Sequence, residues 1–278
     1  MRELFQSHLE LSAYADQLQL LLTMMTISTV RVYAAFMVLP ATNDELLHGP
    51  TRNGLCLLIG FFIAWGQPAH AMAALSVPML LVMVLKEGFV GVLLGFAMST
   101  VFWVAESAGT FVDNAAGFNN VQQTNPLSGA QNTPIANMMS QLTITGFYML
   151  GGMLVAIGIL FESFRWWPAS SASPAVGAAL ERFVSAQVQD FFAMAVKLAT
   201  PMLLIVVLID LAFGLLNKAA DKLEPQNLSQ PVKSGVATVL MALLVLAFFE
   251  QARPSLTLAD LQVQLQHWAQ ELSPAVKH

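Results

Sequence analysis

The sequence predicts an all-α, polytopic integral membrane protein of about six hydrophobic segments, and three observations predict it. Of its 278 residues, 56% are apolar and only 10% are charged, against ~25% charged in an average soluble domain. The apolar residues gather in blocks long enough to cross ~30 Å of hydrocarbon, which takes ~20 helical residues. Several blocks carry charges or prolines at membrane depth, which suits kinked helical hairpins buried against protein better than plain lipid-facing spans. A net charge of −5 without a run of Lys or Arg disfavours nucleic acid as a partner, because phosphate neutralisation needs a basic stripe. The single cysteine, Cys56, forms no internal disulfide and reads as a small buried hydrophobe.

Along the chain the blocks lie at about 17 to 39, 54 to 75, 77 to 105, 138 to 161, 192 to 216 and 234 to 250. Glu3, Glu10 and Asp16 stand where a cleavable signal would carry positive charge, so the first helix is expected to stay in the mature chain. Arg31 lies inside the first block. The third block would be ~43 Å long as one helix and carries Lys86 and Glu87 near its middle. Lys197 and Asp210 lie inside the fifth, with Pro201. A charge at the bilayer centre costs at least ~2.5 kcal/mol on the most lenient scale. These five side chains are therefore expected to be buried against protein or to face a water-filled conduit.

Residues 106 to 137 are the most informative stretch. At average composition a loop of that length would hold ~8 charges, yet Glu106 and Asp113 are its only two, and none follows until Glu162. Neutral hydrogen-bonding residues replace them, including Asn114, Asn119, Asn120, Gln122, Gln123 and Asn125, interspersed with Gly109, Gly117, Phe111 and Phe118 and broken by Pro126 and Pro134. Non-helical backbone at membrane depth is tolerated only where protein or water satisfies it. The loop is thus expected to be a re-entrant or constricting element, with a neutral surface loop as the alternative.

Downstream, Trp166 and Trp167 beside Arg165 suit a membrane interface. Ser173 and Pro174 read as the cap and first residue of a short amphipathic helix leading into the fifth block. Lys218, Lys222 and Lys233 mark the connection from 217 to 233 as cytoplasmic. Thr257 with Asp260 resembles a capping box, followed by a stripe of Leu258, Leu261, Leu265, Trp268 and Leu272 whose opposite face is Gln-rich. The chain is expected to form one membrane domain over 1–278, with a first helical part at 17–161, a second at 162–250 and a C-terminal amphipathic helix at 251–278. No histidine has a partner at metal-ligand spacing, and no hydrolase, phosphate-loop or dinucleotide signature is present, so neither an enzyme nor a cofactor is expected.

The residues carry a resemblance. Arg31 and Pro40 in RVYAAFMVLP, KEGFVGVLLGF around Glu87, AESAGTFVDNAAGF with Gly109, Asp113 and Gly117, Asn125 with Pro126, TPMLLIVVLIDLAFGLL, and EPQNLSQPVK with Pro225, Gln226, Pro231 and Lys233 together resemble the export-apparatus family. That family contains the T component of type III secretion injectisomes (SctT, also YscT, HrcT or SpaR) and the flagellar FliR. The resemblance implies a non-enzymatic export-gate subunit of the bacterial inner membrane, partly on its periplasmic side. It implies assembly with the R and S components (flagellar P and Q), the switch protein U and the large gate protein V, around a channel for unfolded substrates. It makes the segment AGTFVDNAAGFNNVQQTNP a plug loop. Absence of an Asn-Val-Phe run after Pro225 and Gln226 favours the injectisome branch over the flagellar one. A self-contained secondary transporter, with Asp210 or Glu87 holding a coupling ion, is the competing class, but no internal repeat supports it.

Overall fold

The computed structural model describes residues 2–67, 77–118, 123–124, 131–169, 177–219 and 226–272. Eight α-helices are described: α1 (Arg2–Val38), α2 (Gly49–Trp65), α3 (Val77–Ala116), α4 (Pro134–Met149), α5 (Gly152–Trp166), α6 (Gly177–Ala219), α7 (Gln226–Leu256) and α8 (Ala259–Leu272). Between α3 and α4 the two-residue strands β1 (Gln123–Thr124) and β2 (Gln131–Asn132) pair antiparallel. Three described helices are long and apolar enough to cross a membrane, with windows at Ala13–Val38, Pro78–Ala116 and Glu181–Ala219, and α4 with α5 forms a fourth, broken candidate. Among the described residues, membrane-length helices thus number three, or four with the broken pair counted as one span.

The chain divides into two compact units. The first takes residues up to Phe96, the stretch Ile157–Ala175 and the C-terminal end. Its core packs Val32 and Phe36 of α1 with Leu39 just after it, Cys56 of α2, Met83, Val90 and Leu94 of α3, and Ile159, Leu160 and Phe164 of α5, all buried. Helices meet here backbone to backbone, through notches made by glycine. A Cβ at Gly91 would collide with the Arg31 carbonyl oxygen, and one at Gly95 would lie 2.7 Å from that of Ala35. Helix α1 stops at Pro40, which cannot continue it, and the Thr42 hydroxyl donates to the Phe36 and Leu39 carbonyls at 2.6 and 3.0 Å, satisfying acceptors that a helix end leaves open.

The second unit takes residues 97–156 and 176–270. Phe102 and Phe147 meet edge to face at 5.2 Å in its core, beside buried Val112, Met139, Phe248 and Leu265. The apolar block at 138 to 161 is two helices, bent by 70° at Leu150 and Gly151. Gly151 adopts φ 79°, a left-handed conformation natural to glycine. The expected short helix before the fifth block is part of one 43-residue helix, α6, while Ser173 and Pro174 lie outside the described residues. Thr257 does not cap α8. Its hydroxyl donates back to the Arg253 and Pro254 carbonyls at 3.2 and 2.9 Å, closing α7 instead.

Candidate functional site: a buried charge cluster and a clasped loop

In the first unit, one helical turn of α3 and one residue of α1 assemble a charge cluster with an enclosed Arg31–Glu87 centre and a half-buried Lys86 at its edge. Arg31 and Glu87 both have zero exposure, and the Arg31 Nε donates to Glu87 Oε2 at 2.5 Å. The other arms of the guanidinium donate to Ser163 Oγ at 2.9 Å and to the Trp167 carbonyl at 2.8 Å. Its face stacks 3.7 Å from the centre of the Phe164 ring. Lys86 lies 2.8 Å from Glu87 Oε1 and donates to the Pro168 carbonyl at 3.0 Å. Two cations therefore share one carboxylate, and the surplus positive charge rests on carbonyls just past the C-terminus of α5, where the helix dipole favours it.

Lys86 and Glu87 thus touch protein, as expected of charges at this depth. Lys197 and Asp210, expected to be buried against protein or to face a water-filled conduit, are exposed on α6 of the single chain. Asp210 is half exposed and pairs with Lys233 of α7 at 2.9 Å, while Lys197 lines a cleft of about 330 Å³ with Gln187, Asp190, Asp260 and Gln264. The long apolar face of α6 is turned outward here, with Phe192, Val196, Leu204, Val207, Leu208 and Leu211 exposed, so the charges on that face come with it. Pro231 and Lys233 sit on helix α7 and not in a loop. Gln226 is the first residue of α7, and Pro225 lies outside the described residues.

In the second unit, the charge-poor stretch is shorter than its composition suggested. Helix α3 runs on to Ala116, so Glu106, Gly109, Phe111, Asp113 and Asn114 are helical, and Pro134 already begins α4. The helix forms because nothing in ESAGTFVDNAA breaks it and because its polar groups find partners. Gly117, at φ 83°, then ends it. The Phe118 N–H bonds the Asp113 carbonyl at 2.8 Å and the Gly117 N–H bonds the Asn114 carbonyl at 3.4 Å, the paired closure of a Schellman end. The Ser234 hydroxyl of α7 donates to the Ala116 carbonyl at 3.2 Å.

The same Asp113 opens the next helix. Its carboxylate, at zero exposure, accepts the Ile135 N–H at 3.2 Å and the Ala136 N–H at 2.9 Å. Pro134 has no N–H, and the Asn137 N–H bonds the Thr133 carbonyl at 2.9 Å, so every early donor of α4 is accounted for. Gly109 lets α3 approach closely, because a Cβ there would stand 2.5 Å from Ala136 Cα. Asn132 of β2 donates to Glu106 Oε1 at 2.8 Å. Between these fixed points Phe111, Asn114, Gly117 and Gln123 are exposed and Phe118 is half-buried. Asn119, Asn120, Gln122, Asn125 and Pro126 lie outside the described residues.

Sequence reasoning named Arg31, Lys86, Glu87 and Asp113 but not the uncharged groups that bond them. Ser163, Phe164 and the carbonyls after Trp167 carry no signal of their own, since a backbone acceptor is the same in every sequence. A polar ladder of Thr100, Gln187 and Gln264, at 3.4 and 3.2 Å, was also missed, although Gln187 falls on the buried face of α6. Among the described residues no three His, Cys, Asp or Glu side chains are grouped to hold a metal.

These features define an all-α, multi-pass membrane protein whose deepest charges are neutralised inside the chain and whose uncharged loop is tied at its base. Residues 22–257 match the family described as bacterial export proteins, family 1, and the chain belongs to that family. It is 30% identical over 248 residues to Yop proteins translocation protein T of Yersinia pestis, covering 88% of this chain and 94% of that one. It is 29% identical over 214 residues to the surface presentation of antigens protein SpaR of Salmonella typhimurium (77% and 79% covered). It is 26% identical over 216 residues to the flagellar biosynthetic protein FliR of Escherichia coli (78% and 82% covered).

Proposed function

We propose that the chain is a non-enzymatic subunit of a type III protein secretion export gate in the bacterial inner membrane, lining and closing the channel for unfolded substrates. The observation that carries this is the charge-free stretch from Gly117 to Thr133, whose two flanking helix ends both bond Asp113, the α3 end through its backbone carbonyl and the α4 end through its buried carboxylate. Neutral amide side chains can hydrogen-bond across a narrow lumen, holding back ions and water, without gripping a passing chain of either sign. The partners on this reading are the R and S components, the switch protein U and the large gate protein V, with part of the assembly on the periplasmic side. Greater identity and coverage toward the translocation protein T than toward FliR support the injectisome branch over the flagellar one.

The exposed α6 face supports assembly. An exposed Lys197 and a half-exposed Asp210 on a membrane-length helix are costly against acyl chains and cheap against a neighbouring polypeptide or water. Deleting Gly117 to Gln123 tests the gate directly. Assembled complexes in liposomes are expected to leak small ions well above the wild-type rate, and unchanged conductance would falsify the plug assignment.

A further inference from the structure

We infer that Trp103, Glu106, Ser107, Thr110 and Phe191 form a receptor for an arginine side chain of a neighbouring polypeptide. This rests on the reading of the chain as one subunit of an assembly and names a contact through which it is held there. In the second unit a recess of about 430 Å³ between α3 and α6 is lined by these five residues. The four on α3 recur at i, i+3, i+4 and i+7 and so share one helix face, and Phe191 comes from α6. The Glu106 carboxylate is fixed at one oxygen, Oε1, which accepts from Asn132 Nδ2 at 2.8 Å. Among the described residues no Lys or Arg pairs with Glu106, and its Oε2 has no hydrogen-bond partner. The Thr110 hydroxyl donates to the Glu106 carbonyl at 2.9 Å, and its oxygen keeps a lone pair with which to accept.

The chain itself shows what such a set of groups binds. In the first unit the Arg31 guanidinium is held by the Glu87 carboxylate, the Ser163 hydroxyl and the Phe164 ring. The recess offers the same three kinds of group: one carboxylate, two hydroxyls and two aromatic rings. A ring face attracts a cation, tryptophan most strongly. The flat guanidinium both stacks on a ring and bonds a carboxylate, which the compact ammonium of lysine does less well. Glu106 falls within the membrane-length window Pro78–Ala116, where an uncompensated carboxylate is costly against acyl chains. Residues 107–161 contain no Lys or Arg, and Lys197 of α6 lines a different cleft. The counter-charge for Glu106 therefore comes from another polypeptide.

The test uses the assembled complex purified in mild detergent. A photoreactive p-benzoylphenylalanine replaces Phe111, an exposed ring one turn beyond Ser107, and the peptide it joins is identified by mass spectrometry. The expected product is a peptide of a co-purifying subunit that contains an arginine. Glu106→Gln keeps the acceptor for Asn132 and removes the charge, whereas Phe191→Leu removes one ring and leaves the carboxylate alone. Release of the chain from the complex should be at least about tenfold faster for Glu106→Gln and about threefold faster for Phe191→Leu. Replacing the cross-linked arginine by glutamine should match Glu106→Gln, and combining the two should add little, as for any coupled pair. A wild-type release rate for Glu106→Gln, a cross-link confined to lipid or to an arginine-free peptide, or an arginine whose replacement changes nothing overturns the site and leaves the gate standing. A wild-type chain that purifies without other subunits overturns the assembly reading and the site with it. Should Glu106→Gln fail to accumulate, Phe191→Leu decides by the same measure, a wild-type rate refuting the inference.

Discussion

Replacing Glu87 by glutamine keeps shape and volume but removes the only carboxylate between two buried cations. Arg31 and Lys86 contact opposite oxygens of Glu87 at 2.5 and 2.8 Å. At ~4 Å between charge centres and an effective dielectric of ~20, each attraction is ~4 kcal/mol, and with the anion gone nothing offsets the repulsion between the two cations. Relief of the desolvation borne by Glu87 offsets part of this, which leaves the ~3–5 kcal/mol seen when a buried pair loses one member. For a chain of this size that is a fall of ~6–20 °C in thermal midpoint, at ~2–4 °C per kcal/mol. The assay is thermal unfolding of the purified subunit complex in mild detergent, comparing Glu87→Gln, Arg31→Met and the double variant. Partial recovery in the double variant relative to the sum of the singles is expected, because removing both charges of the pair is cheaper than orphaning one. A Glu87→Gln midpoint within 1 °C of wild type would show that water reaches the cluster and that its enclosure is not what the packing indicates.

Two further substitutions probe the packing. Gly91→Val drives a side chain into the Arg31 carbonyl and should cost at least ~1–3 kcal/mol, read as lower steady-state protein and an earlier melt. Gly88→Ala, where a Cβ meets nothing nearer than Val30 Cγ1 at 3.8 Å, should be neutral or stabilising by up to ~1 kcal/mol through helix propensity. Asp210→Asn breaks a pair whose acid is 51% exposed, so the purified subunit should shift by less than ~1 kcal/mol; a larger loss would mean that the pair is sealed from solvent.

Where sequence and structure agree, the residues concerned have no alternative. An arginine at the depth of Arg31 must be neutralised inside protein, and Cys56 among apolar neighbours must be buried, as both are. Where they part, composition stood in for geometry. Glu106, Asp113 and Asn114 looked like loop because they are polar, but a helix satisfies its own backbone and asks only that side chains find partners, which Asn132 and the α4 amides provide. The apolar run at 138 to 161 read as one span because a break between Met149 and Gly152 changes no hydropathy, only the φ of Gly151. Pro201, read inside the fifth block, does sit inside α6, and Pro231, read in the connection from 217 to 233, sits inside α7, in helices long enough to absorb a missing bond. The partners of Arg31 come from residues 132 and 136 positions away along the chain, a separation no local pattern reports.

The glycine notches on α3 have a consequence for how this chain can vary. Gly91 and Gly95 mesh with the main chain of α1 at Arg31 and Ala35 like teeth one turn apart, so the two rods tolerate no slippage short of a full 5.4 Å turn. Adding or deleting a single residue of α1 between those teeth would rotate everything beyond it by ~100°, swinging the guanidinium out of its cage and the bulky neighbours into the gears. Changes of length in this first unit are thereby restricted to its ends and turns.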